Sequence, residues 1–399
     1  MIRIKIKGPY RGQKEGKIMY KIMTPGPTQV KENVRLARAR ECTNPDLDET
    51  FVEFYRETCR QISRLLHTEN ETLILAGEGI LGLEAACASL TEPQDRVLVL
   101  DNGIYGKGFA DFVSMYGGRP ELYTVDDRRP IDPEELEKFL EKNHDYKYAT
   151  LVHCDTPSGM LNDIHVLCPL LKKYGLLTVV DSVSAMFGER VDVTEAQVDI
   201  LCGGSQKAVS APPGLTFVTV SQEAKNAMHE RKTPIASFYA SLKIFDGYYE
   251  KKWFPYTMPI SDIYGLRAAF DNIEQDREMI SRHAAIGTAC RQALEEAGLQ
   301  LHLKQGFSNT VTVFDVPKGT TAQEILTAMR KEHNIMLAGS FDNLAGQVIR
   351  IGHMGTNADF TDMTETMEAL EQTLKKLGIT LAVSLKERFR ELFLLLTEK

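Results

Sequence analysis

No stretch of this 399-residue chain approaches the roughly 20 consecutive apolar residues that span a bilayer. Nor does an apolar core followed by a cleavage site open it, so neither a membrane protein nor a secreted one is indicated. Cysteine pairs are missing too. The seven cysteines (Cys42, Cys59, Cys87, Cys154, Cys168, Cys202 and Cys290) are odd in number and form no C-x-x-C pair, which argues against a disulfide framework or a zinc site. Reduced thiols in the cytoplasm fit best, and no metal is expected. Positive charge is scarce as well: 47 Lys and Arg face 55 Asp and Glu, a formal net charge of −8. Nucleic-acid binding is therefore not the expected main task, although a small anion remains allowed. Basic residues crowd only the opening, with Arg3, Lys5, Lys7, Arg11, Lys14, Lys17 and Lys21 against Glu15. That opening, residues 1–22, reads as a flexible arm. No repeat or low-complexity segment follows it.

What is present is ordinary globular composition, 43% hydrophobic and 26% charged, in a chain long enough for two domains. Short β-rich runs at 72–76, 96–100, 148–153, 176–180, 199–202 and 215–220 alternate with helical stretches at 49–67, 81–90, 133–143 and 166–174. That rhythm predicts an α/β sheet covered by helices. A long helical stretch from Ser261 to about Gly298, with only Gly265 and Gly287 as weak breakers, reads as the link between a large domain, residues 23–274, and a smaller α+β domain, residues 275–399. The apolar run Leu392–Leu396 reads as a last helical turn.

Four segments stand just after the C-terminal ends of predicted strands: Gly77–Ile80, Asp155–Ser158, Asp181–Val183 and Ser205–Lys207. Open α/β sheets bind ligands at that edge. Lys207 sits in Gly203-Gly204-Ser205-Gln206-Lys207-Ala208, closed by Pro212-Pro213-Gly214, and a lysine so held can form a Schiff base. Val179-Val180-Asp181-Ser182 ends an apolar strand in a carboxylate, the partner a pyridinium nitrogen needs. Gly77-Glu78-Gly79-Ile80-Leu81-Gly82 opens a helix after a strand, where free N–H groups and the helix dipole hold a phosphate. Each has a plainer alternative. Lys207 can be a solvated surface lysine, Asp181 a helix cap, and the glycine run an ordinary tight turn.

Taken together these segments resemble the class V aminotransferases of the pyridoxal-phosphate fold type I, most closely the alanine–glyoxylate and serine–pyruvate enzymes, over about Met23 to Gly378. The resemblance implies a mainly parallel, seven-stranded type of sheet and pyridoxal 5′-phosphate as cofactor. It implies that Lys207 holds the cofactor and carries the substrate's Cα proton, with Asp181 on the ring nitrogen. Tyr105 would stack on the ring or serve as core, and Thr156 would bond the phenolic oxygen or cap the turn into Pro157. Val183 and Gln206 would line the ring or phosphate. The phosphate would rest on the loop of Glu78, Gly79 and Ile80. Relatives usually carry a small hydroxyl residue where this chain has Glu78, whose carboxylate repels a phosphate unless it turns away.

For the substrate, Arg350 in the alternating strand Val348-Ile349-Arg350-Ile351-Gly352 suits a carboxylate, or else faces outward. The turn Thr24-Pro25-Gly26-Pro27 resembles the family's turn whose glycine, here Gly26, approaches the substrate. Thr257 in Tyr256-Thr257-Met258-Pro259 resembles the residue that crosses to the partner's phosphate, which implies a homodimer. Phe254 stands where some relatives have a polar ring. The expected reaction is transamination of alanine or serine with glyoxylate or pyruvate, small amino and keto acids being the partners. A 2-aminoethylphosphonate–pyruvate transaminase is the alternative, on Val152-His153-Cys154-Asp155 and Ser158-Gly159-Met160-Leu161-Asn162. Desulfuration is disfavoured because Gln206, not histidine, precedes Lys207 and no cysteine follows Cys290. A non-catalytic pyridoxal-phosphate-binding role leaves the set Lys207, Asp181 and Arg350 unexplained.

Overall fold

The computed structural model describes residues 20–398. Seven strands form its main sheet: β1 (Glu71–Ala76), β2 (Arg96–Asp101), β3 (Arg119–Thr124), β4 (Tyr148–Val152), β5 (Leu177–Asp181), β6 (Ile200–Gly204) and β7 (Leu215–Val220). Their order is β1-β7-β6-β5-β4-β2-β3. β7 runs antiparallel to both its neighbours, and every other pairing is parallel. The expected mainly parallel α/β sheet of fold type I is what the chain forms. Strands β4, β6 and β7 are buried at every residue, which is why they read as continuous apolar runs. The sequence reading missed β3. It is the edge strand beyond β2, and Arg-Pro-Glu-Leu-Tyr-Thr buries no residue fully. An edge strand needs apolar side chains on little of its surface, so periodicity does not mark it.

Helices cover both faces, and their starts follow local chemistry. The Asp48, Asp132 and Asp163 side chains accept hydrogen bonds from first-turn N–H groups of the helices Glu49–Leu65, Pro133–Leu140 and Ile164–Lys173. Helix Glu49–Leu65 buries Phe51, Val52, Tyr55, Cys59 and Ile62 along one stripe. The Tyr55 hydroxyl also donates to the Ile74 carbonyl and accepts from the Ile74 N–H, at 2.9 and 2.8 Å, pinning the helix to β1.

The long helical stretch is two helices, Ile260–Gln275 and Met279–Glu296. The break falls at Asp276, whose carboxylate pairs with Arg282, and not at either glycine. Those glycines serve close approach instead. A Cβ on Gly265 would lie 2.5 Å from Arg38 Cγ, and one on Gly287 would lie 3.1 Å from Asn309 Cα.

A second core, including Ile286, Phe314, Ile325, Ile349, Leu370 and Phe389, lies beneath the antiparallel pair β8 (Val311–Asp315) and β9 (Val348–Gly352). The start of the described chain joins it. Lys21–Ile22 pairs in parallel with Ile335–Met336, and Met23 is wholly buried in this core. Residues 1–19 of the basic arm lie outside the described residues. At the other end, helix Leu385–Thr397 buries Leu385, Phe389 and Leu392 and leaves Leu394–Leu396 exposed.

Candidate active site

Because β1, β4, β5 and β6 run the same way, their C-terminal ends meet at one edge. β6 ends at Gly204, and the turn after it carries Lys207 inward, held by a bond from the Ser210 N–H to the Lys207 carbonyl. The Lys207 ammonium donates to the Pro25 carbonyl at 2.7 Å. Burial, with the Arg350 charge adding to it, lowers its pKa to about 8. Gly26 covers this side chain with φ +99°, and a Cβ there would stand 2.4 to 2.7 Å from Lys207 Cδ, Cε and Nζ. No side chain other than glycine's fits that approach.

Asp181 ends β5, 6% exposed. One oxygen accepts from the Val183 N–H at 2.9 Å, yet desolvation dominates and pushes its pKa up to about 7. A buried carboxylate so raised is stabilised by a cationic N–H partner.

At the end of β1, helix Gly79–Leu90 begins. Glu78 does not turn away from its N-terminus. One carboxylate oxygen accepts from the Ile80 N–H at 3.1 Å and the other from Gln206 Nε2 at 3.0 Å. A Cβ on Gly79 would come 2.9 Å from Val183 Cγ2, so Val183 stands against the helix start. Two of the donors expected for a phosphate are thus engaged by a carboxylate.

Across the cleft, Arg350 of β9 faces the site rather than solvent. Its Nε donates to the Gly339 carbonyl at 2.6 Å and one Nη to the Thr156 carbonyl at 3.2 Å. The rest of the guanidinium fork remains for a ligand. Burial lowers its pKa, opposed by the nearby Tyr105 and Asp155. Tyr105 is the second residue of helix Ile104–Met115, and its N–H donates to Asp155 Oδ1 at 3.2 Å. Asp155, 1% exposed, also accepts from the Ser158 hydroxyl at 2.7 Å. Thr156 is buried beside it.

Thr257 is not brought to Lys207 within this chain. It is exposed, and its hydroxyl donates to Asp46 at 2.9 Å. Phe254 is core, stacked on Tyr248 and packed on Tyr55. Asp155 opens one of the four strand-end segments the sequence marks, and sequence reasoning overlooked three other contributors: the Pro25 carbonyl, Phe341 and Gly352. Phe341 lies edge-on to Tyr105, 6.1 Å between ring centroids, and 5.9 Å from the Arg350 guanidinium. A Cβ on Gly352 would stand 2.2 Å from the Thr24 carbonyl, so that glycine lets the Thr24–Pro27 turn cross β9. Only Gly352 had a local signal, a glycine closing an otherwise apolar strand.

A parallel sheet whose C-terminal edge gathers a buried lysine, a buried aspartate and an arginine from a smaller unit defines a fold type I pyridoxal-phosphate enzyme. The chain belongs to the class-V aminotransferase family, whose model matches residues 30–379. It is 31% identical over 347 residues to a pyridoxamine–pyruvate transaminase of Mesorhizobium japonicum, covering 85% of this chain and 87% of that one. It is 30% identical over 365 residues to an alanine–glyoxylate aminotransferase of Callithrix jacchus, covering 89% and 87%. Among solved structures, pyridoxamine–pyruvate aminotransferase of Mesorhizobium loti superposes with TM-score 0.89 at 29% identity, over 96% of this chain and 97% of that one. Class V aminotransferases are pyridoxal-5′-phosphate-dependent enzymes acting on amino and keto acids. The ring end of such a group fits Lys207 and Asp181 here; its phosphate end meets Glu78. No helix among the described residues is long and apolar enough to cross a membrane.

Proposed function

We propose that the protein transfers the amino group of a small amino acid, alanine or serine, to glyoxylate or pyruvate. The observation that carries this reading is the convergence of Lys207, Asp181 and Arg350, on separate elements, at one sheet edge. When bound, the pyridoxal group supplies an electron sink for the bond broken at the substrate's Cα. Asp181 keeps the ring nitrogen protonated by facing it with a buried negative charge. Lys207, its pKa lowered to about 8, is partly neutral near pH 7, so its amine would take the proton at Cα and return it at the ring's 4′ carbon, two bonds away. Arg350 clamps the substrate carboxylate. Tyr105 and Thr156 would hold the ring, and Gly79, Ile80, Val183 and Gln206 would line the end away from Lys207. In a homodimer, Thr257 reaches the partner's site. The unpaired cysteines, six of seven buried, suit the cytoplasm.

A second reading is favoured by one observation, the Glu78 carboxylate on the helix N-terminus. In it the amino donor is free pyridoxamine, the compound in the name of the Mesorhizobium relatives, and pyruvate is the acceptor.

The test of the donor class is a half-reaction. L-alanine, L-serine and 2-aminoethylphosphonate are added singly, without keto acid, to protein carrying the pyridoxal group, and its visible absorption is followed. Alanine or serine is expected to bleach the band. Bleaching by 2-aminoethylphosphonate alone would refute the small-amino-acid reading.

A further inference from the structure

The 5′ end of the ring site is built for a hydrogen-bond donor, not for a dianion. The Ile80 N–H and Gln206 Nε2 both donate to Glu78, so two of the groups expected for a phosphate already serve a carboxylate. The bond to Glu78 also fixes the Gln206 amide: a carboxylate only accepts, so the NH2 faces it and Oε1 faces the other way. Gln206 is 7% exposed, and that Oε1 is buried without a hydrogen-bond partner. It lies by the helix start. A Cβ built on Gly204 would touch Gln206 Oε1 at 3.0 Å, Val183 Cγ1 at 3.1 Å and Gly79 Cα at 3.6 Å. An orphaned buried acceptor calls for a donor. A phosphate dianion has none to give, whereas a hydroxymethyl group has one hydrogen for Oε1 and an oxygen for a backbone N–H.

We propose that Glu78 and Gln206 select the unphosphorylated ring. Pyridoxamine then enters and leaves as a substrate, held at its 5′-hydroxymethyl group, while the phosphate ester is repelled. The proposal rests on the assignment of Lys207, Asp181 and Arg350 to ring and carboxylate binding. The exchange balances without an outside oxidant: the amino group leaves the ring's 4′ carbon, which becomes an aldehyde and is oxidised by two electrons. C2 of pyruvate receives the nitrogen and is reduced by two, giving alanine; the ketone oxygen leaves as one water when the nitrogen bonds to C2, and a second water supplies the aldehyde oxygen at the 4′ carbon, so water balances.

The experiment is equilibrium dialysis of the ring-free full chain against pyridoxamine and pyridoxamine 5′-phosphate, both followed by fluorescence, with E78Q and E78T beside the wild type. Repulsion between a dianion and a carboxylate roughly 5 Å apart in high dielectric predicts about tenfold tighter binding of pyridoxamine by the wild type. Both variants are expected to lose that preference or reverse it. E78Q keeps the length of the side chain, and an unchanged thermal midpoint verifies folding. Tighter wild-type binding of the phosphate ester overturns the proposal and leaves the transaminase reading standing. A preference for pyridoxamine that survives in both variants overturns the role of Glu78. If neither compound binds, the ring-site assignment falls with it.

Discussion

Replacing Asp181 with Asn is expected to stabilise the ring-free protein while destroying its use of the ring. In the folded chain burial raises the Asp181 pKa from 3.8 to about 7, whereas the unfolded chain keeps an ordinary carboxylate. Between those values the folded state binds the extra proton, so stability falls as pH rises. The slope is about 1.4 kcal/mol per pH unit for this one group, and the loss levels off above pH 7 at about 4 kcal/mol. Asn keeps an oxygen for the Val183 N–H and removes the charge. Its amide hydrogens are left without assigned partners, which costs about 1–3 kcal/mol. The diagnostic quantity is therefore the change with pH. The stability of Asp181→Asn relative to wild type should improve by about 3 kcal/mol between pH 5 and pH 8. Urea unfolding of both ring-free proteins at the two pH values measures it. A stability difference that does not move with pH would refute the claim that a costly buried carboxylate is held there. Loss of the visible absorbance of bound pyridoxal in the variant separates this ligand role from a merely structural one.

Gly26→Ala should place a methyl within 2.4 Å of Lys207 Cδ at a φ of +99°, costing about 1–3 kcal/mol in thermal unfolding and lowering kcat; unchanged kcat would mean that the turn does not position Lys207. Thr257→Ala removes an exposed hydrogen bond to Asp46, worth about 1 kcal/mol or less within the chain. If Thr257 donates to the phosphate of a ring in the partner's site, retention of pyridoxal 5′-phosphate through gel filtration should also weaken, by about tenfold for one lost charge-assisted bond; undiminished retention rejects the crossing.

Much of the fold was legible because strands buried on both faces are mostly apolar, and β4, β6 and the antiparallel β7 are buried at every residue. β3 was not, because an edge strand shares the composition of a loop. The break near Asp276 was hidden for a related reason: it is fixed by a pairing with Arg282, while the glycines that resembled breakers are packing contacts. Lys207 and Asp181 stood out as candidates because one follows and the other closes a strand whose direction the parallel pattern sets. Thr257 was recognisable only by resemblance, and its surroundings within one chain give it Asp46 as a partner.

The sequence by itself singled out a lysine after one strand, an aspartate closing another and an arginine within a third as candidates for the chemistry. It also marked Glu78 as a departure. Only the tertiary structure decided what the departure does. Whether a carboxylate points toward or away from a helix N-terminus depends on Gln206, 128 positions further along the chain, which holds one oxygen while Ile80 holds the other. The same holds for Gly26, whose meaning is a lysine 181 positions away. Hydrogen bonds and van der Waals contacts act over about 3–4 Å, and such distances between remote segments exist only once the chain has folded.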